Sequence, residues 1–166
     1  MVQNHFSNVL FRKLLFMDVD KMDINSLKSQ FSKYKKDLLD LNKYMYENPE
    51  LGYQEIKSVN KITKLIKKHT ADAKFKKFTD IPTAFTASIN NKPRRENIAI
   101  CIEYDALPNV GHACGHNLIS SIGLGTFFIL SNYINDLDYE IKLVGCPAEE
   151  IIPSVSYTHL TLPTIL

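Results

Sequence analysis

The feature that most constrains the fold is an apolar segment from Leu118 to Ile134, which lies between two strand-like runs. Its apolar residues cover every side of a helix, and such a helix is expected to be buried. A buried helix that connects two strands is typical of a crossover between parallel strands. The sequence therefore predicts an α/β domain.

Two amphipathic helices and four strands are predicted in this domain. Apolar residues recur every three or four positions from Ile24 to Met45, with Asp23 or Asn25 as the cap, and again from Ile56 to Ile66. The first helix should end near Asn48, because the following proline disfavours helical geometry. The strand-like runs are KFKKF, TAFTASI, NIAICIEY and EIKLVGC. The third run is apolar on both faces, which predicts a central strand covered on both sides.

Charge and cysteine content exclude several classes of protein. The 166 residues carry a net charge of +2 that is spread along the chain, so neither a nucleic-acid partner nor a membrane partner is expected. The run NVLFRKLLFM is too short and too charged for a signal peptide or a membrane span. Three cysteines, at positions 101, 114 and 146, are an odd number without disulfide-type spacing. They indicate a reducing compartment, and we expect the cytoplasm.

Both ends of the chain are expected to lie outside the domain. Residues 1–22 show no clear pattern and form an N-terminal extension, within which Met17 or Met22 could equally be the true start. Val155 to Thr164 is the translation of GTCTCTTATACACATCTGACGCTGCCGACG, which resembles a transposase-type sequencing adapter. Residues 155–166 are therefore expected to be an adapter-derived tail, the domain to span residues 23–154, and the natural gene product to be longer.

Acidic, thiol and imidazole groups gather where the predicted strands end and where the apolar helix begins. They form three pairs: Glu103 and Asp105, Cys114 and His116, Glu149 and Glu150. Loops at the carboxyl ends of strands bring such groups together in α/β sheets. A thiolate, an imidazole and carboxylates suit a zinc-like ion, and the helix N-terminus should lower the pKa of the thiol. Each group alone also has a structural interpretation, and the residues by themselves leave both open.

Four short motifs occur in order along the chain and together resemble a known family. They are NPELGYQE at 48–55, EYDALP at 103–108, GHACGHN at 111–117 and CPAEE at 146–150. This set resembles the amidohydrolase branch of the M-twenty metallopeptidases, which includes hippurate, indole-acetyl-amino-acid and aminobenzoyl-glutamate hydrolases and β-alanyl-lysine-type dipeptidases. The resemblance implies part of a zinc-peptidase-like catalytic domain, with a mixed, mostly parallel sheet and helices on both faces.

The resemblance also implies roles for individual residues. The metal ligands fall on Cys114, His116 and Glu150, the general base falls on Glu149, and the catalytic aspartate of the family falls on Asp105. Two further residues match without a clear role. His112 is the first histidine of its motif but not a family ligand, and Glu103 stands where related branches carry a ligating histidine.

The activity that the resemblance implies is amide hydrolysis at a centre with two divalent ions, of Zn, Mn or Co. The substrates would be N-acyl amino acids or short dipeptides, and Glu149 would carry the proton from the attacking water to the leaving amine. Two more histidine ligands and a lid or dimerisation domain would follow Glu150 in a longer parent, which is expected to be a homodimer. The chain as printed is therefore expected to bind metal weakly and to have no useful activity.

Two alternatives remain open at the level of sequence. Cys114 could be the nucleophile of a thiol hydrolase, with His112 or His116 as its base. The chain could also belong to a non-catalytic relative that binds a ligand with the same fold.

Overall fold

The computed structural model describes residues 23–90 and 96–151, which form one mixed sheet and three helices. In chain order the elements are α1 (Ile24–Glu47), α2 (Ile56–His69), β1 (Lys74–Lys77), β2 (Phe85–Ile89), β3 (Asn97–Glu103), α3 (His116–Asn132) and β4 (Glu140–Cys146). The expected N-terminal extension and the expected adapter-derived tail both lie outside the described residues. No helix in the described ranges is long and apolar enough to cross a membrane.

The first two helices begin and end close to the predicted positions. Asp23 caps α1, because its Oδ1 accepts hydrogen bonds from the backbone N–H groups of Asn25 and Ser26 at 2.6 and 2.8 Å. The helix ends at Glu47, directly before the Asn48-Pro49 pair. The buried apolar side chains of these two helices all belong to the predicted stripes: Tyr34, Leu38, Leu41, Met45, Val59, Ile62 and Ile66. Three other members of the stripes, Ile24, Phe31 and Ile56, are exposed.

The sheet has the strand order β1-β2-β4-β3 and is mixed, as expected. Strands β3 and β4 are parallel and are joined through α3, which confirms the predicted crossover. The expectation of a mostly parallel sheet is not met among the described strands, since β1 with β2 and β2 with β4 pair antiparallel. The short connection between β1 and β2 has no room for a crossover and therefore permits only antiparallel pairing.

The core lies on one face of the sheet, where all three helices contribute to a single cluster of buried side chains. From the strands this cluster takes Phe85, Ala87, Ile102, Ile141 and Leu143. The expectation of helices on both faces is therefore not met in the described ranges. Burial on one face needs only alternate apolar residues. In β3, the apolar residues that alternate with the core-facing ones are exposed at Ala99 and half-buried at Cys101.

Two other burial expectations also need correction. Strand β3 lies at the edge of the described sheet rather than at its centre, and Ile98 is 38% exposed. Helix α3 is buried against β3, β4 and α1, but Leu118 and Ile122 on its remaining side are 54% and 67% exposed. An apolar run indicates that a segment prefers to be buried. How many sides of the helix or strand are covered depends on how many other elements pack against it.

Candidate metal centre

The predicted site residues meet at one edge of the sheet. Glu103 is the last residue of β3, Cys146 is the last residue of β4, and His116 is the first residue of α3. Because β3 and β4 are parallel, their carboxyl ends share this edge. Gly115 has a φ of 79°, a left-handed conformation that lets the chain turn directly from Cys114 into the helix.

His116 is buried and is held in one orientation by Asp105. Its Nδ1 lies 2.9 Å from the Asp105 backbone oxygen and 3.0 Å from Asp105 Oδ1. Burial alone would lower the pKa of His116, but the hydrogen bond and charge of Asp105, together with the charge of Glu103, raise it to about 8. A histidine whose Nδ1 is bound in this way presents Nε2 to a metal ion.

Three carboxylates surround Nε2 of His116. Glu103 Oε2 and Glu150 Oε1 each lie 3.6 Å from this nitrogen, and Glu149 Oε2 lies 3.8 Å from it. Two donors at about 2.0 to 2.2 Å from one tetrahedral ion would be separated by about 3.4 Å. The imidazole and the carboxylates therefore fit a divalent ion by chemistry and by spacing.

Glu103 belongs to this cluster, although the sequence left its role open. One ligand atom from each of Glu103, His116 and Glu149 lies within 4.8 Å of the other two. The signal was present in the sequence, because an acid directly after an apolar strand points to the sheet edge. Sequence reasoning could not show that its carboxylate would face the imidazole.

Cys114 is exposed, and among the described residues its sulfur does not belong to the group of ligand atoms that lie within 4.8 Å of one another. The hydrogen bond between its thiol and the Glu150 carboxylate raises the pKa of Cys114, and burial and the other nearby acids raise it further. This direction is opposite to the lowering expected from the helix N-terminus, because carboxylates rather than cations surround the sulfur. A raised pKa does not favour a thiolate nucleophile, and a bound cation would reverse it.

Asp105 connects two parts of the site instead of facing its centre. Oδ1 contacts His116 Nδ1, and Oδ2 accepts a hydrogen bond from the backbone N–H of Glu150 at 2.9 Å. Burial would raise the pKa of this carboxyl, but these two partners lower it overall. Asp105 thus joins the imidazole of His116 to the loop that carries Glu150, and its catalytic role stays a prediction.

His112 lies outside the cluster of ligand atoms. It is buried, and neither ring nitrogen has a hydrogen-bond partner within the described part of the chain. Burial lowers the pKa of His112. Together with Leu51, Leu107 and Val110 it lines a cavity whose surface is partly polar and partly apolar.

The NPELGYQE motif supports the site without entering it. The Glu50 backbone oxygen accepts a hydrogen bond from the N–H of Ala106 at 2.9 Å, next to Asp105. The Glu50 carboxylate caps α2, since it accepts from the backbone N–H groups of Lys57 and Ser58 at 3.0 and 2.7 Å. Sequence reasoning missed this cap because Glu50 lies six residues before the helix begins.

Comparison with known proteins finds relatives that are peptidases and deacetylases by name. No family model matches the chain. The Xaa-Arg dipeptidase of Mus musculus is 33% identical over 121 residues, which are 66% of this chain and 28% of that protein. The N-acetylcysteine deacetylase of Bacillus subtilis is 28% identical over 131 residues, which are 69% of this chain and 33% of that protein.

The solved structures also include a close match to this fold. A dinuclear metal-binding peptidase of the M20 family from Bacillus subtilis superposes with a TM-score of 0.64 and 25% identity, over 75% of this chain and 37% of that chain. This chain therefore spans about a third of the length of the proteins that it matches. The order of the motifs, the fold and these relatives agree, and the chain belongs to the M20 (M-twenty) metallopeptidases.

Proposed function

We propose that a longer protein containing this chain hydrolyses the amide bond of N-acyl amino acids or short dipeptides in a metal-dependent reaction. Residues 23–154 would form the N-terminal part of its catalytic domain. The observation that carries the proposal is the arrangement around His116 Nε2, which three carboxylates approach within 4 Å. Such a concentration of negative charge around one imidazole suits a divalent cation.

Cys114, His116 and Glu150 would hold one ion, and Glu103 offers a further carboxylate beside them. A bound Zn, Mn or Co ion would polarise the amide carbonyl and make water more acidic. Thiolate, imidazole and carboxylate donors suit each of these metals, so the ligand set does not select among them. We infer that the complete centre holds two such ions.

Glu149 would act as the general base. Its carboxylate is 30% exposed and lies 3.8 Å from His116 Nε2, so water can reach it at the edge of the cluster. It would take a proton from the attacking water and deliver it to the leaving amine. Asp105 would keep the imidazole fixed during this transfer.

The names of the relatives support the substrate class. One is called an Xaa-Arg dipeptidase and another an N-acetylcysteine deacetylase, and both names describe an amide bond to an amino acid. We further propose that the longer protein is a cytoplasmic homodimer. The free state of all three cysteines agrees with a reducing compartment.

The test uses the complete gene product that contains this chain. The protein is stripped with a chelator, supplied with Zn²⁺, Mn²⁺ or Co²⁺, and assayed with N-acetylcysteine and with an Xaa-Arg dipeptide. Turnover that depends on added metal would support the proposal. Loss of activity after thiol alkylation but not after chelation would favour the thiol hydrolase instead, and binding without turnover would favour a non-catalytic relative.

A further inference from the structure

Glu55 is a fully buried carboxyl group that the proposed reaction does not use. Its exposure is 0%, and burial raises its pKa. It stands directly before α2, yet its side chain does not cap that helix, because Glu50 does so. A buried carboxyl that does not cap the helix beside it requires another explanation.

The Glu55 side chain contacts the loop that carries the two acids of the metal centre. Its Oε1 accepts a hydrogen bond from the backbone N–H of Ala148 at 2.8 Å. Ala148 has a φ of 57°, in the left-handed region that residues other than glycine rarely adopt. Tertiary contacts must hold such a residue in place, and strained backbone of this kind is concentrated at functional sites.

The loop is thus held by hydrogen bonds to two of its backbone N–H groups, which are two residues apart. Glu55 accepts from the N–H of Ala148, and Asp105 accepts from the N–H of Glu150 at 2.9 Å. Glu149 lies between these two points. Gly52 adds a close approach, since a methyl group there would lie 3.0 Å from the Ala148 Cα and 2.6 Å from the Ile151 Cδ1.

We propose that Glu55 is a positioning residue that holds Glu149 and Glu150 at the metal centre through the backbone N–H of Ala148. The inference deepens the proposed function and rests on it. The hydrogen bond of the Glu55 side chain goes to the loop and not to a ligand atom of the cluster, so Glu55 acts through the loop. Supporting contacts of this type commonly change metal affinity or activity about 10- to 100-fold.

The experiment compares three variants of the complete gene product that contains this chain, by Co²⁺ titration and by amide hydrogen exchange at Ala148. Glu55→Met removes the acceptor at similar size, and Glu55→Gln keeps an acceptor. Ile62→Val is the control, because it removes one buried methyl group from α2, the helix that follows Glu55. We expect Glu55→Met to bind Co²⁺ about 10- to 100-fold more weakly, with an altered cobalt absorption spectrum. Its Ala148 amide should exchange at least about tenfold faster. Glu55→Gln and Ile62→Val should resemble the parent chain.

Parental Co²⁺ affinity and parental Ala148 exchange in Glu55→Met would overturn the proposal, as would a Glu55→Gln chain that behaves like Glu55→Met. If Glu55→Met does not fold, Gly52→Ala replaces it, because its methyl group presses on the same loop at Ala148 and Ile151. Unchanged exchange and affinity in that variant would also overturn the proposal. A complete gene product that binds no Co²⁺ without any of these substitutions would instead contradict the proposed function.

Discussion

Two pairs of glutamates show how the same side chain serves different purposes in this molecule. Glu50 and Glu55 accept hydrogen bonds from backbone N–H groups and stabilise the chain around the site. Glu149 and Glu150 are partly exposed and face the imidazole of His116. The difference teaches that the partner of a carboxylate, more than its exposure or its motif, separates a structural acid from a chemical one.

The largest effect on activity should come from a substitution of Glu149, whose carboxylate is partly exposed and lies near the imidazole of His116. Replacing Glu149 by Gln in the complete gene product removes the proposed general base, and we expect kcat to fall about 10²- to 10⁴-fold. Metal content should stay at the level of the unmodified protein, because Glu149 is not among the proposed ligands of the ion. The measurement is turnover of N-acetylcysteine with metal analysis of the same sample. If the variant kept its turnover, Glu149 would not be the general base, and the proposed chemical difference between the two pairs of glutamates would be wrong.

A second prediction concerns Asp105, a buried acid that belongs to neither pair. Asp105→Asn weakens the contact with His116 Nδ1 while keeping a side chain of the same size, and we expect metal affinity to fall about 10- to 100-fold. Co²⁺ titration of the complete gene product measures this affinity. Asp40→Asn, on the exposed face of α1, is the matched control and should leave the affinity unchanged. Equal affinities for the two variants would show that Asp105 does not orient the ligand.

The sequence predicted the elements of the fold well because each one carries a local signal. Helix α1 has both a cap at Asp23 and a regular apolar stripe, and β4 runs from Glu140 to Cys146 as the pattern indicates. The arrangement of the sheet was less accessible. Neither the edge position of β3 nor the exposure of Ile122 is encoded locally, since both depend on which other elements pack nearby.

In the candidate site, too, local features could be predicted from the sequence and contacts between distant segments could not. Strand ends and the helix start predicted which residues would meet, and His116 and Glu150 do lie close together. Contacts between distant segments were not predictable, and they decide the function of each acid. The bond from Ala148 to Glu55 spans 93 positions, and only the folded chain reveals it.

A third prediction tests the structural role of Glu50. Glu50→Ala removes the cap of α2, and we expect the free energy of unfolding to fall by about 1 kcal/mol. Co²⁺ affinity should not change, since the contact from Glu50 to Ala106 uses the backbone oxygen. Urea denaturation measures the stability, and Glu50→Gln, which keeps an acceptor, is the control. A loss of metal affinity without a loss of stability would reverse the assignment of Glu50.

The smallest effect concerns Asp37, an acid on α1 whose partners are a lysine and a histidine. Asp37 Oδ2 lies 2.6 Å from both Lys68 Nζ and His69 Nε2. The hydrogen bond from Lys68, followed by that from His69, lowers the pKa of Asp37. Because the folded-state pKa lies below the unfolded value of about 3.9, this carboxylate stabilises the fold above that value. The contribution is lost as the pH falls through the lowered pKa.

We therefore expect Asp37→Asn to reduce the free energy of unfolding by less than about 1 kcal/mol at pH 7, since Lys68 is largely exposed and solvent screens the pair. The stability difference between this variant and the parent should shrink when denaturation is repeated at stepwise lower pH values below 4, as the parent carboxylate becomes protonated. Asp40→Asn disrupts only an exposed pair with Lys36 and should produce a smaller change. A difference for Asp37→Asn that stays constant across this pH range would mean that packing, rather than charge, determines its effect. Asp37 would then resemble the buried Glu55 more than the acids of the metal centre.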